Sequence, residues 1–340
     1  MAKPEDPEED GVHFRNGKEI VTNKATYKVE KLIGEGGFGA VYRVIDSKEP
    51  TKVYAMKVER KKANRKDPKL KMEIAILKMM AADSNGKSHF TELIDRGKRD
   101  GKNEKYSNYF IVMQLVGKSL ADLKSQMPQK VFTMCCGLSV AMQCLEACQD
   151  LHRHGFIHRD TKPANYACGL ADKKRVIYIL DFGIARKFTN EKNELKTPRE
   201  TAQFKSTITF ASIACHKNIE LGPKDDCESW FYLLMDIIQK LGLPWKKISN
   251  REEVLRIKQD CRKDGNGKKG VLYENLICKG ELELIVMYID SLKYYEKVDY
   301  NFIYDVLKLA ASTAGGSLDD PYDWERDEFG VSPTTTSPAP

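Results

Sequence analysis

No stretch of the 340 residues approaches the roughly 18–20 uncharged apolar residues that a membrane span needs, so no span is expected. The opening MAKPEDPEEDG is acidic and lacks an apolar core, so no secretory signal is expected either. The nine cysteines form no paired CxxC pattern; Cys135 and Cys136 are adjacent, and Cys144 and Cys148 stand four apart on a predicted helix. In a reducing interior these read as buried thiols rather than disulfides or zinc ligands. There is no internal repeat, and no block interleaves basic residues with aromatics as a dedicated nucleic-acid binder would. These absences lead to the expectation of a soluble intracellular protein without a membrane or nucleic-acid partner; a cytoplasmic monomer is expected, with the nucleus as the alternative compartment.

What is present is ordinary for a globular protein with a charge-rich surface: 41% hydrophobic and 31% charged residues, with Lys+Arg 56 against Asp+Glu 49, a net charge of +7. That excess permits acidic partners without demanding them. The length corresponds to about two domains, enough to bury a core without a disulfide or metal staple. Residues 60–71 (RKKANRKDPKLK) read as a solvated loop leading into a helix, with a docking patch as the alternative. Residues 1–24 are polar and acidic, and residues 327–340 are rich in Ser, Thr and Pro, so both are expected to be tails.

Between the tails the hydrophobic period changes. Tyr27, Val29, Leu32, Val41, Tyr42, Val44 and residues 53–58 alternate as strands joined by glycine-bearing turns. Residues 72–80 predict a short helix and 111–115 a buried strand. From residue 117 the spacing becomes helical, at 120–123, 132–152, 228–241, 252–260, 281–288 and 300–311, with short apolar segments near Ile157 and at 177–180. The fold class is therefore α+β, a small β-rich part (about 25–116) followed by a larger helical part (about 117–326).

Residues 33–41 read IGEGGFGAV, with Gly34, Gly36 and Gly39 in G-x-G-x-x-G spacing. A dinucleotide fingerprint would open a helix, whereas here Ala40 continues as a strand; the loop is a hairpin lid whose backbone amides can approach phosphates. The next strand carries Ala55-Met56-Lys57, and a lysine among apolar neighbours needs an opposite charge, which Glu73 supplies from the short helix sixteen residues on. His158-Arg159-Asp160 opens HRDTKPAN, with Asn165 five residues past Asp160, and Asp181-Phe182-Gly183 follows twenty-one residues after Asp160.

Taken in order, these segments resemble the catalytic domain of protein kinases, which implies a bilobal fold, ATP and magnesium. The resemblance gives Asp160 the role of accepting the substrate hydroxyl's proton and Lys162 that of neutralising phosphate charge. Asn165 and Asp181 would hold magnesium, while Lys57 would hold the phosphates, paired with Glu73. Gly34, Glu35, Gly36, Gly37, Phe38, Gly39 and Ala40 would cover the phosphates. Ile33, Val41, Ala55, Leu115, Ala167 and Leu180 would sandwich adenine, with Met113 as gatekeeper and Gln114, Leu115 and Val116 as hinge. Asp226 matches the aspartate that braces the catalytic loop. Lys162, two residues past Asp160, is the serine/threonine form.

The resemblance narrows further. Ser212-Ile213-Ala214 is similar to the Ser-Ile-Asn of the casein kinase 1 superfamily. Residues 70–77 (LKMEIAIL), 113–123 (MQLVGKSLADL), 156–165, 180–189 (LDFGIARKFT), 225–245 and 320–325 (DPYDWE) most resemble its tau-tubulin kinase branch. The similarity covers residues 27–326. Thr207 is retained and is expected to contact Asp160 and Lys162. Thr209 replaces the arginine with which relatives grip a phosphorylated or acidic substrate position, leaving Arg159 and Arg186 as the matching cations. A weak preference for such substrates is therefore expected. Ala214 in place of asparagine leaves open how the activation segment is anchored. The rival reading is a pseudokinase scaffold, although Lys57, Asp160, Asn165 and Asp181 are all present; a cytoskeletal binding module has no direct support in the sequence.

Overall fold

Six strands form one antiparallel sheet in the computed structural model, which describes residues 12–36, 39–60, 68–83, 88–100, 107–263 and 269–325. The strands are β1 (Glu19–Val21), β2 (Thr26–Gly36), β3 (Gly39–Asp46), β4 (Val53–Arg60), β5 (Leu93–Asp100) and β6 (Ser107–Gln114), in spatial order β1-β2-β3-β4-β6-β5. The sheet belongs to a first compact unit, residues up to 117 with 169–174 and 178–184. One face buries Tyr27, Val29, Tyr42, Val44, Met56, Val58 and Val112. The two-residue period of β4 turns Ala55 and Lys57 to the other face, where Ala55 packs with Ile111, Met113 and Leu70. Leu70 begins helix α1 (Leu70–Asp83), whose buried side carries Leu70, Glu73, Ile76, Leu77 and Met80.

Three expectations change here. The acidic tail expected through residue 24 does not extend that far: β1 pairs with β2, Ile20 and Val12 are buried, and the Tyr42 hydroxyl donates to the Val12 carbonyl at 2.9 Å. Residues 1–11, like the expected tail at 327–340 and most of the basic run, lie outside the described residues. Strand β5, LIDRGKRD, is unexpected because its charges mask the alternation, which is how an edge strand is kept from pairing further. Helix α1 is longer at both ends than the 72–80 spacing implies.

The second unit is helical: residues 118–168, 175–177 and 185 onward. It contains α2 (Leu120–Gln126), α3 (Met134–Arg153), α4 (Ile213–His216), α5 (Pro223–Ile238), α6 (Arg251–Asp260), α7 (Lys269–Leu272), α8 (Lys279–Ser291) and α9 (Tyr300–Thr313). Helix α5 is buried on every side from Asp225 to Ile238, so it is a core helix of this unit, packed against α3, α4 and α8. Its Trp230 indole donates to the Ala141 carbonyl of α3 at 2.7 Å. The DPYDWE segment holds the start of α3 in place. Asp323 accepts from the Thr133 backbone and hydroxyl at 2.6 and 2.7 Å, capping that helix from 190 residues away. Eight of the nine cysteines are buried and all nine are reduced thiols. Among the described residues no helix is long and apolar enough to cross a membrane.

Candidate active site

In the first unit, the period of β4 and the face of α1 bring two opposite charges to one buried place. Lys57 Nζ lies 2.7 Å from Glu73 Oε2 and 2.9 Å from Asp181 Oδ1. Burial alone would lower the lysine, but the two carboxylates outweigh it and hold the ammonium well above its ordinary value, so it is charged at neutral pH. Asp181 sits at a φ of +63°, a left-handed conformation costly for a non-glycine residue and held by its surroundings. It accepts from the Gly183 amide at 3.3 Å, while Phe182 is buried and stacks on Phe90 with ring centroids 5.7 Å apart.

A residue that motif reading missed fixes the helix carrying Glu73. Glu59, buried on β4, accepts the Lys69 and Leu70 amides at 3.0 and 2.8 Å, satisfying α1's exposed N-terminal donors. No motif marks it; the only signal is an acidic residue near the end of a strand, two positions after Lys57. Replacing it, Glu59→Ala, is expected to cost about 1 kcal/mol of stability, as lost helix caps do. A urea midpoint within error of the wild type's would show that α1 is held otherwise.

The hairpin residues Ile33, Gly34, Glu35 and Gly36 end β2, and Gly39, Ala40 and Val41 open β3, with Gly36 opposite Gly39; Gly37 and Phe38 lie outside the described residues. The glycines differ in what demands them. A Cβ on Gly39 would lie 1.8 Å from the Val58 carbonyl oxygen, so the fold itself requires glycine there. A Cβ on Gly36 would meet nothing within 4 Å, so packing does not explain that glycine and its bare backbone stands open. Val41, Ala55, Met113 and Leu115 join one apolar cluster. Ile33 is 44% exposed, and Ala40 points into the core on the opposite face, so only its backbone can serve a ligand. Glu35 meets His13 at 2.9 Å. At the hinge, the Gln114 amide is taken by the Glu92 carbonyl at 2.9 Å, Val116 follows β6, and Leu180 precedes Asp181 half-buried.

In the second unit, α5 supplies Asp226, which accepts the amides of His158 and Arg159 at 2.6 and 2.8 Å and the His152 Nε2 proton at 2.8 Å. Burial would raise this carboxyl, but the hydrogen bond and charge of His152 hold it below its ordinary value. The loop it braces presents Asp160. Oδ1 accepts the Thr207 amide at 3.0 Å and hydroxyl at 2.8 Å; Oδ2 meets Lys162 at 2.7 Å and the Asn165 amide nitrogen at 3.2 Å. Lys162 also donates to the Thr207 hydroxyl at 2.8 Å. Asp160, Lys162, Asn165 and Thr207 are thus one network, as the motif spacing implies. Ala167 is buried beyond it. With Asn165 Nδ2 turned to Asp160, its amide oxygen is the atom available to a cation.

Two anchoring groups had no motif to announce them. Lys258 of α6 is fully buried and donates to the Ile208 and Ala211 carbonyls at 3.1 and 2.6 Å. Glu228 of α5 accepts the Ile213 amide at 3.1 Å and is held by Arg262 at 3.1 Å. The activation segment is anchored by these groups, which answers the question raised by Ala214. Arg186 pairs with the buried Glu220 at 3.3 Å, and Arg199, which no motif marks, shares that carboxylate. Among the described residues no group of three or more His, Cys, Asp or Glu side chains forms a metal cluster.

The protein kinase domain family matches residues 27–253. A putative serine/threonine-protein kinase of Caenorhabditis elegans, ZK507.1, is 32% identical over 312 residues, covering 89% of this chain and 85% of that one. The serine/threonine-protein kinase spe-6 of the same organism is 30% identical over 308 residues, 89% of this chain and 76% of its own. A putative casein kinase I of that worm is 29% identical over 314 residues, 88% and 83% of the two chains. The matched stretch runs from the glycine hairpin through the Asp160 loop to α6, a curled sheet followed by a helical unit, and by that match the chain belongs to the protein kinase family.

Proposed function

We propose that the chain is a serine/threonine protein kinase of the casein kinase 1 superfamily, most similar to its tau-tubulin branch, that transfers the γ-phosphoryl group of ATP to protein hydroxyls as a cytoplasmic monomer. The observation that carries the reading is the Asp160 carboxylate, fixed between Thr207, Lys162 and Asn165. A carboxylate so held can orient a hydroxyl and take its proton while Lys162 keeps positive charge beside it. The chain also fits the group it would bind. Gly36 leaves open backbone where no packing atom requires it, and within the same unit Asp181 offers the hard carboxylate oxygen that magnesium prefers. Bound Mg-ATP would supply the transferable phosphoryl group and offset its charge. Lys57, held charged by Glu73 and Asp181, would grip phosphate oxygens. The subfamily reading rests on Ser212-Ile213-Ala214 and on the likeness to a putative casein kinase I.

Phosphorylation of a degenerate Ser/Thr/Tyr peptide library with Mg-ATP tests the reading; no transfer to any peptide would favour the scaffold alternative. Lys57→Met is expected to abolish transfer and to remove most of the thermal shift caused by Mg-ATP. A ligand at a hundred times its Kd stabilises by about 2.7 kcal/mol, a rise of several degrees in Tm for the wild type. Equal shifts in both proteins would exclude Lys57 from nucleotide binding.

A further inference from the structure

The brace beneath the Asp160 loop runs one residue further than Asp226 and its histidine. Asp226 Oδ2 takes the His152 Nε2 proton, and across the ring His152 Nδ1 lies 2.5 Å from the hydroxyl of Tyr300, the first residue of α9. Asp226 is ionised, and an ionised carboxylate only accepts, so Nε2 holds the proton of that bond. The tyrosine hydroxyl serves Nδ1 in either state of the ring, donating to a neutral imidazole and accepting from an imidazolium. Phe188 packs T-shaped against the same ring, with centroids 6.4 Å apart. What this chain of contacts holds is strained. Arg159, the residue before Asp160, sits at a φ of +68°, a left-handed backbone that a residue with a Cβ keeps only where its surroundings over-determine it. Its amide goes to Asp226 Oδ1 at 2.8 Å and the preceding His158 amide to Oδ2 at 2.6 Å. The conformation that aims Asp160 therefore depends on where the Asp226 carboxylate points, and that depends on a ring with two nitrogens to satisfy.

We propose that Tyr300 is a positioning residue for phosphoryl transfer, its hydroxyl acting through His152 and Asp226 on the backbone that aims Asp160. The inference rests on the kinase reading above. Without the hydroxyl, Nδ1 faces only a hydrocarbon ring; the imidazole shifts toward another partner, and the carboxylate it holds follows. The fold supplies its own control. One turn along α9 the Tyr304 hydroxyl donates to Gln149 Oε1 of α3 at 2.7 Å, a bond between the same two helices that ends on Gln149 rather than on His152.

The test reads single-turnover transfer to a serine peptide, which separates chemistry from product release, together with KM for ATP and peptide and the urea midpoint. Tyr300→Phe is expected to slow transfer about tenfold, short of the roughly hundredfold that a 1 Å misplacement can cost, with both KM values within about twofold of the wild type's. Tyr304→Phe is expected to lower the urea midpoint by a similar amount, one hydrogen bond being lost in each, yet to leave transfer within about twofold. In the Asp160→Asn background Tyr300→Phe is expected to slow transfer little further, because the carboxylate it aims is gone. A Tyr300→Phe protein that transfers at the wild-type rate overturns the inference. So does an equal loss of rate in Tyr304→Phe, or a loss from Tyr300→Phe that persists in full beside Asp160→Asn. Each of those results leaves the kinase reading standing, since the wild type transfers. A wild type that transfers to no peptide overturns both.

Discussion

Asp160→Asn is expected to lower kcat by at least about 100-fold, the lower end of what a positioned proton acceptor contributes, with the KM for ATP nearly unchanged. Two physical losses add. The amide cannot accept a hydroxyl proton at neutral pH. It also disturbs the network. With its oxygen kept toward the Thr207 amide and hydroxyl, its NH₂ would face Lys162 Nζ and the Asn165 amide nitrogen, both of them donors. The hydroxyl of Thr207 would still bind Lys162, so the loop has a partial substitute and the fold should survive. Steady-state transfer to a serine peptide, together with thermal unfolding, checks both parts. A variant keeping more than a tenth of wild-type turnover would exclude Asp160 as proton acceptor and leave catalysis to positioning and charge.

The placement of the candidate site's side chains was legible because these residues sit in short, ordered segments whose spacing is set by the local backbone. Lys57 and Glu73 could be paired from the sequence since a strand lysine on an apolar face has few ways to be satisfied, and the distance of 2.7 Å follows from that. The Asp160 loop was legible for the same reason, and Thr207 joined it as expected. Boundaries were less so. The 18–24 stretch looked like tail because one apolar pair, Ile20 and Val21, is too short to show a period, yet pairing with β2 makes it a strand. The charges of β5 hid it in the same way.

What the sequence did not announce are single buried polar residues whose partners are backbone groups far along the chain. Glu59 caps α1, Asp323 caps α3, and Lys258 holds carbonyls 47 and 50 residues away. Such contacts leave no periodic trace, because the partner is a main-chain atom that every residue has.

The largest stability effect is expected from Lys258→Met. In α6 the lysine shares the buried face with Val254 and Ile257 and is fully excluded from solvent. Its Nζ donates to the Ile208 and Ala211 carbonyls, stands 3.3 Å from His216 Nε2, and lies 4.5 and 5.3 Å from the Tyr232 and Trp245 ring centroids. Trp245 in turn donates to the Thr209 carbonyl at 2.8 Å, so three carbonyls of the segment next to Thr207 are tied to buried side chains. Methionine matches the length and supplies no donor, leaving buried carbonyls unpaired at about 1–3 kcal/mol each. A net loss of about 2–3 kcal/mol follows, with a larger rise in peptide KM than in ATP KM as the segment loosens. The pH dependence separates this from simple packing. Burial pushes Lys258 down to about 7, whereas the same side chain in the unfolded protein titrates near 10.4. Between those values the unfolded chain binds more protons, so the wild type gains stability as pH rises and the methionine variant lacks that gain. The difference between the two proteins should be smallest below pH 7 and widen by about 1–2 kcal/mol by pH 9. Urea unfolding of both at pH 6.5 and 9 measures it. A constant difference would mean that Lys258 does not titrate in this window, and no difference at either pH would mean that the segment is held by Trp245 and Glu228 alone.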